Sequence, residues 1–332
     1  MIWIRRLFLF FEAFYSYNAF YCNIKHIFTV HNFKHQGIVS PEISSDVIGL
    51  PDWAEDIIRY DDVRILIKGA MAVAHSIVIS DCDYYGWRES PFVNLYRDKI
   101  TIIPNGCESD GDLVEKSKAE YKQELQNLFG FVTNEKIPLI AATINDNTME
   151  QDCTLIHGAL KEFYSKQQSD SQKVSCVTTG SAAHRGYVWD KTYEFTEYLE
   201  CAFPEKEMVH CGDISYFPKI VAGADICIIP SYRRVRKITA YALRHGTIPV
   251  VLNTGGPFDI VSDVENENGC GFVIDEPTPS ALADAIMRTI KAYQDTENWD
   301  KIVCRAKQCD FSWDNVTVPE YMKLYDRLRE ND

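Results

Sequence analysis

Several short clusters hold the residue types that could bind a phosphorylated ligand. Thr254-Gly255-Gly256 follows an apolar run, and a glycine pair after a strand lets backbone N–H groups approach phosphate oxygens. Arg233, Arg234, Arg236 and Lys237 stand just before a helix-like stretch, where the helix dipole disfavours cations. They read either as an anion site, for a diphosphate or a sugar phosphate, or as a solvated loop. His31-Asn32 closes the run Phe28-Thr29-Val30, and Gln36-Gly37 follows. Taken alone, His31 is a hydrogen-bonding group at a strand end, and Asn105-Gly106, after Pro104, is a turn.

The elements that must position these clusters alternate. Short apolar, β-branched runs predict strands over 26–30, 76–80, 99–103, 138–143, 173–179, 207–211, 226–230, 248–252 and 271–273. Helical patterns lie between them, over 63–74, 152–166, 189–202, 217–222, 239–245, 280–293 and 299–308, with a last helix over 318–328. Strands separated by helices make parallel βαβ units and an α/β fold. The charged stretch 108–126 reads as linker and solvated helix. After it, six strands suffice for a complete doubly wound domain, whereas the first part offers only about three.

Bulk properties narrow the classes. At 332 residues the chain has room for two domains. A net charge of -14 sets it against nucleic acid and anionic membrane surfaces. Its 11 cysteines form no Cys-x-x-Cys pair, and several, such as Cys176 and Cys227, lie in apolar runs. Free thiols in a reducing compartment fit that scatter better than a disulfide framework or a zinc site. Arg5-Arg6 followed by Leu7–Phe11 has the look of a signal-peptide core, but Glu12 interrupts it and no small-residue cleavage site follows. The run reads better as a core helix.

Together with Ala222-Gly223-Ala224-Asp225 leading to Pro230-Ser231, with Tyr241-Ala242-Leu243-Arg244-His245-Gly246-Thr247-Ile248-Pro249-Val250-Val251, and with Asp310-Phe311-Ser312-Trp313, these clusters resemble bacterial glycogen synthase and plant starch synthase, glycosyltransferase family five. The resemblance runs from about Ile24 onward and is densest from Ala222 to Trp313. It implies a GT-B architecture of two Rossmann-like domains facing a cleft. Residues 1–115 would be a truncated N-terminal, acceptor-side domain and 116–315 the C-terminal nucleotide-sugar domain, with 316–332 a closing helix that crosses back. It also implies transfer of glucose from ADP-glucose, or UDP-glucose, to an α-1,4-glucan with retention of configuration. No metal or other cofactor takes part. The partners implied are the nucleotide sugar, α-glucan and a partner synthase, with no nucleic acid and no membrane, in the cytoplasm or in the plastid of a photosynthetic lineage.

Residue by residue, the resemblance assigns His31 to the family histidine that contacts the donor sugar, its catalytic position. Asn32, Asn105, Thr254, Gly255 and Gly256 fall on donor- and substrate-binding positions. Other positions depart from the pattern. The family's phosphate-binding arginine falls on Asn145, its lysine on Glu150, and its base-stacking aromatic on Gly212. The glutamate beside the reacting sugar becomes Arg234 counted forward from Pro230, or Arg233 counted back from Gly246. A carboxylate facing a diphosphate costs roughly 4 kcal/mol at ~4 Å and an effective dielectric of about 20. The chain is therefore expected to be a weak or inactive synthase, the alternative being a non-catalytic glucan- or partner-binding homologue, a pseudoenzyme.

Overall fold

The computed structural model describes residues 15, 18–31, 33, 36–41, 52–80, 93–107, 116–144, 149–166, 175–180, 197, 201, 207–211, 214–230, 235–253 and 260–330. It divides into two compact units, Met1–Gly106 with Trp313–Asp332 and Cys107–Ser312. The apolar run at 7–11 and most of the helix expected over 189–202 lie outside the described residues.

In the first unit β1 (Ile27–Val30) precedes β2 (Ile38–Val39), α1 (Asp52–Ile58), β3 (Arg59–Tyr60), β4 (Val63–Ile65) and α2 (Leu66–Val73). Then come β5 (Ser76–Ile79), a 3-10 segment over Val93–Lys99 and β6 (Ile100–Ile102). A parallel sheet forms in the order β1-β5-β6, with Ile27 opposite Ser76 and Ile77 opposite Ile100. The helix expected over 63–74 is corrected at its start, because Val63–Ile65 is a strand. It pairs antiparallel with β2 and β3 in a small second sheet. The reason is local. Asp61, at φ 49°, and Asp62 make the turn of a hairpin between β3 and β4, so Val63–Ile65 runs as a strand before the helix starts. Arg64 lies between them, buried, and its guanidinium meets Glu55 at 3.2 Å.

The second unit opens with α3 (Lys118–Leu128) and continues through β7 (Leu139–Ile144), α4 (Met149–Lys166), β8 (Ser175–Gly180) and β9 (Glu207–Cys211). Next come α5 (Phe217–Gly223), β10 (Ile226–Ile229), α6 (Val235–Arg244) and β11 (Ile248–Leu252). The unit ends with β12 (Phe272–Ile274), α7 (Pro279–Gln294) and α8 (Thr296–Gln308). Six parallel strands stand in the order β12-β11-β10-β7-β8-β9. The order reverses between β7 and β10, and in open α/β sheets the carboxyl ends at such a switch point form a natural ligand crevice.

The expected linker and solvated helix over 108–126 contains most of α3, and it is corrected in part of its solvation. Ser117 caps it in a capping box with Glu120, whose carboxylate accepts the Ser117 N–H at 2.7 Å. Two of its lysines turn inward, however. Lys122 is 5% exposed and pairs with Asp225 at 2.7 Å. The Lys118 ammonium ends among the carbonyls of Ala222 and Ala224 and the Thr247 hydroxyl. Burial lowers its pKa to about 8, partly offset by the Asp225 carboxylate.

β10 is buried at every residue, and its Cys227 thiol is held up to about 12 by burial. A thiol whose folded pKa lies above its unfolded value of 9.0 contributes stability in full below pH 9.0, and that contribution is lost as pH rises toward about 12. Denaturant midpoints measured from pH 8 to 11 are therefore expected to fall more steeply for the wild type than for Cys227→Ala. Parallel slopes would refute this. Among the described residues no helix is long and apolar enough to cross a membrane.

After α8 the chain passes through a wide turn, Trp313–Thr317, into α9 (Val318–Glu330). This helix packs on the first unit's parallel sheet, where Leu324 joins Val78 and Ile103 in one buried cluster. Arg327 donates to the Thr101 hydroxyl at 2.8 Å.

Candidate functional site

The first unit holds a cavity of about 450 Å³ at the carboxyl ends of its parallel strands. Thr29, His31 and Asn105 line it, with Trp313, Tyr321 and Tyr325 from the returning segment. β1 places His31 one residue beyond its last hydrogen-bonded position. The ring Nδ1 lies 2.5 Å from the Ser80 hydroxyl, which stands just beyond β5. The same residue fixes the other polar group, since the Asn105 N–H donates to the Ser80 carbonyl at 2.9 Å. Ser80 is fully buried, so one rigid strand end sets both the histidine and the asparagine loop.

Gly106 decides where Trp313 sits. A Cβ there would lie 2.5 Å from the Trp313 Cγ and 2.7 Å from its backbone. Only a glycine lets the tryptophan approach so closely. The Thr317 hydroxyl donates to the Pro104 carbonyl at 2.9 Å and holds the same crossing together. Tyr321 and Tyr325, one turn apart on α9, place their rings 6.0 Å apart. The result is a hollow with an aromatic side and a polar floor, the lining of many small-molecule pockets.

In the second unit, residues 145–148 and 231–234 follow in sequence β7 and β10, the two strands that flank the switch point. They carry Asn145, Arg233 and Arg234, all outside the described residues, as are Asn32, Gly212, Thr254, Gly255 and Gly256. Glu150 has its backbone in the first turn of α4.

The basic cluster is redrawn by what is visible. Arg236 and Lys237 do not precede the helix; they belong to α6, which starts at Val235. Nor is Arg236 part of a solvated loop. It is 7% exposed, with its guanidinium 5.6 Å from the centre of the Phe311 ring.

A cavity of about 500 Å³ opens beside β11 and β12. Its polar lining is mostly self-paired. Arg288 bridges Asp263 at 2.8 Å and Glu265 at 3.0 Å, and the Asn253 amide donates to Asp275 at 2.7 Å. Thr239, 1% exposed, differs: among the described residues its hydroxyl has no hydrogen-bond partner. Sequence reasoning did not single out Thr239 or Ser80, and it named Trp313 only as part of the Asp310-Phe311-Ser312-Trp313 motif, with no role of its own.

Residues 3–85 match the starch synthase catalytic domain family. The chain is 28% identical over 347 residues to a glycogen synthase of Bacillus cereus, which covers 95% of this chain and 69% of the relative. A glycogen synthase of Bacillus licheniformis is 28% identical over 341 residues, covering 94% and 68%. The catalytic domain of starch synthase IV from Arabidopsis thaliana, solved with ADP and acarbose, superposes with a TM-score of 0.76 at 20% identity, over 98% of this chain and 71% of that one. Anabaena HepE, in complex with UDP and glucose, gives 0.58 at 15%, over 96% and 76%. These likenesses establish the GT-B fold.

Proposed function

We propose, on the premise that this chain is a glycogen- and starch-synthase-like glycosyltransferase, that it binds α-glucan through its first unit and transfers glucose weakly or not at all. The cavity around His31 and Asn105 carries this reading. Trp313, Tyr321 and Tyr325 offer flat apolar surface for the C–H faces of glucose rings, while His31 and Asn105 supply hydrogen bonds to hydroxyls. A glucan asks for that combination: alternating apolar faces and hydroxyl edges along an uncharged chain.

The second half rests on the donor side. Transfer from ADP-glucose or UDP-glucose needs cations around the leaving diphosphate and a carboxylate or carbonyl dipole near the sugar. The replacement of that carboxylate by Arg233 or Arg234, with Asn145, Glu150 and Gly212 at the other donor positions, removes several members of one cooperating set. Such losses cost orders of magnitude. Binding of glucan, or of a partner synthase on that glucan, then becomes the selected property.

Glycogen co-sedimentation run beside a glucose-incorporation assay tests both halves. The full chain is expected to sediment with glycogen, and Trp313→Ala to weaken that association about tenfold. Incorporation from ADP-glucose or UDP-glucose is expected at under about a thousandth of an ordinary synthase rate. Failure to sediment sinks the glucan-binding half, and turnover at ordinary synthase rates sinks the other.

A further inference from the structure

Ser80 stands just past the end of β5 and is fully buried. Its backbone is fixed on both sides. The Ser80 N–H donates to the Val30 carbonyl at 3.3 Å, which carries the pairing of β1 with β5 one residue past the strands. The Ser80 carbonyl accepts the Asn105 N–H at 2.9 Å. Val30 is the residue before His31, so the ladder itself holds the serine beside the imidazole. The 2.5 Å between the Ser80 hydroxyl and His31 Nδ1 follows from that register.

A neutral imidazole carries one N–H, and the partner of one ring nitrogen decides which of the two bears it. The Ser80 hydroxyl has a single proton to give. Among the described residues His31 is its one hydrogen-bond partner, and full burial keeps it from bulk water. Were Nδ1 to carry the ring proton and donate to the serine oxygen, that O–H would be stranded without an acceptor, at the full cost of its desolvation. The arrangement that strands nothing has Ser80 donating to Nδ1 and the ring proton on Nε2. The two nitrogens face away from one another. His31 is exposed and lines the cavity of about 450 Å³, and among the described residues no protein group bonds to its Nε2.

We propose that Ser80 is a positioning residue that fixes His31 as a hydrogen-bond donor, its Nε2–H offered to the ligand, so that the cavity recognises an oxygen lone pair on an uncharged sugar. This rests on reading the cavity as a glucan site, and it adds the direction of the bond. A protonated Nε2 cannot take a proton from a sugar hydroxyl. It can only offer its own, to a hydroxyl or a ring oxygen. His31 then serves recognition and not proton transfer, which suits a protein that holds glucan without turning it over. Asn105 depends on the same serine by a separate route, through the backbone carbonyl, so the hydroxyl can be removed without releasing that loop.

The test uses the full chain with nitrogen-15 in its histidine rings, at a mildly alkaline pH where imidazoles are neutral. His31, assigned by its loss in His31→Gln, should show a protonated, pyrrole-like Nε2 and a pyridine-like Nδ1. In Ser80→Ala the ring should relax to a mixture of tautomers, and glycogen co-sedimentation should weaken about fivefold. A second pair of variants leaves the buried serine in place. His31→Gln sets an amide N–H near the Nε2 position and should lose about threefold in association, whereas His31→Glu, an acceptor only, should lose about tenfold or more. A wild-type ring protonated on Nδ1 overturns the proposal. So does an unchanged ring spectrum in Ser80→Ala, or equal association by His31→Gln and His31→Glu. Failure of the wild type to sediment with glycogen sinks the glucan reading instead, and the nitrogen spectra still decide where the proton sits.

Discussion

Replacing Asp225 by alanine is expected to lower the unfolding free energy by about 3–5 kcal/mol, among the largest effects of any single change in the second unit. The carboxylate is 6% exposed and accepts twice at one end of the sheet, from the Leu139 N–H at 2.8 Å and from the Lys122 ammonium at 2.7 Å. Lys122 also donates to the Glu135 carbonyl at 2.8 Å and the Tyr293 hydroxyl at 3.0 Å. Tyr293 has its phenol pKa pushed up, by burial first and by Asp225 next. Alanine leaves a buried ammonium without its counter-charge and a strand N–H without its acceptor. Asp225→Asn keeps an acceptor and should cost less. Asp225→Ala combined with Lys122→Met should recover part of the loss, because it removes the stranded charge. Urea unfolding of the three variants, at unchanged m-value, measures this. A loss below about 1 kcal/mol for Asp225→Ala would show that the pair is not the anchor described.

Gly269→Ala is the second large effect, and its cause is purely steric. A Cβ there would stand 2.0 Å from the Asp263 carbonyl oxygen and 2.5 Å from both its carbon and the Val264 Cα. All three are backbone atoms, so no side-chain rotation relieves the overlap. The turn is fixed as well: the Gly269 N–H donates to Asn266 at 3.0 Å, and Asp263 bridges to Gly271. The expected cost is about 2–3 kcal/mol. The change should also displace Asp263, which holds both Arg288 and the Val273 N–H at 2.8 Å. Unfolding free energies, with amide exchange across 260–275, would show both. Wild-type stability with unaltered exchange would refute the close approach.

The six-stranded sheet was legible because its strands are short apolar runs between turn residues. The strands over 207–211 and 248–252 agree with expectation to the residue. The antiparallel sheet of the first unit was not legible, since strands of two or three residues leave no period to detect. Charge runs misled in a different way. Lys118, Lys122 and Arg236 look like surface in sequence, yet their partners stand far along the chain, at Thr247, Asp225 and Phe311. A window of neighbouring residues cannot weigh a contact closed by the fold. His31 and Asn105 were identified through a motif resemblance; their common anchor, Ser80, carries no motif and emerges only from geometry. Most donor-side positions lie outside the described residues, so the basis for reading them stays in the sequence.

The return of α9 to the first unit has a consequence for synthesis on the ribosome. The strands that it covers are complete by residue 102, but the segment that closes them is not made until after residue 312. Val78 and Ile103 must wait, without Leu324, while the whole second unit emerges. Cys107 and Phe311 mark the two ends of that excursion, joined by a backbone hydrogen bond of 2.6 Å. The second unit can thus fold as a looped-out piece whose ends already meet, and the first unit is finished last although it began first. Ribosomes stalled before residue 313 should carry a protease-resistant second unit behind a first unit that is still open to cleavage.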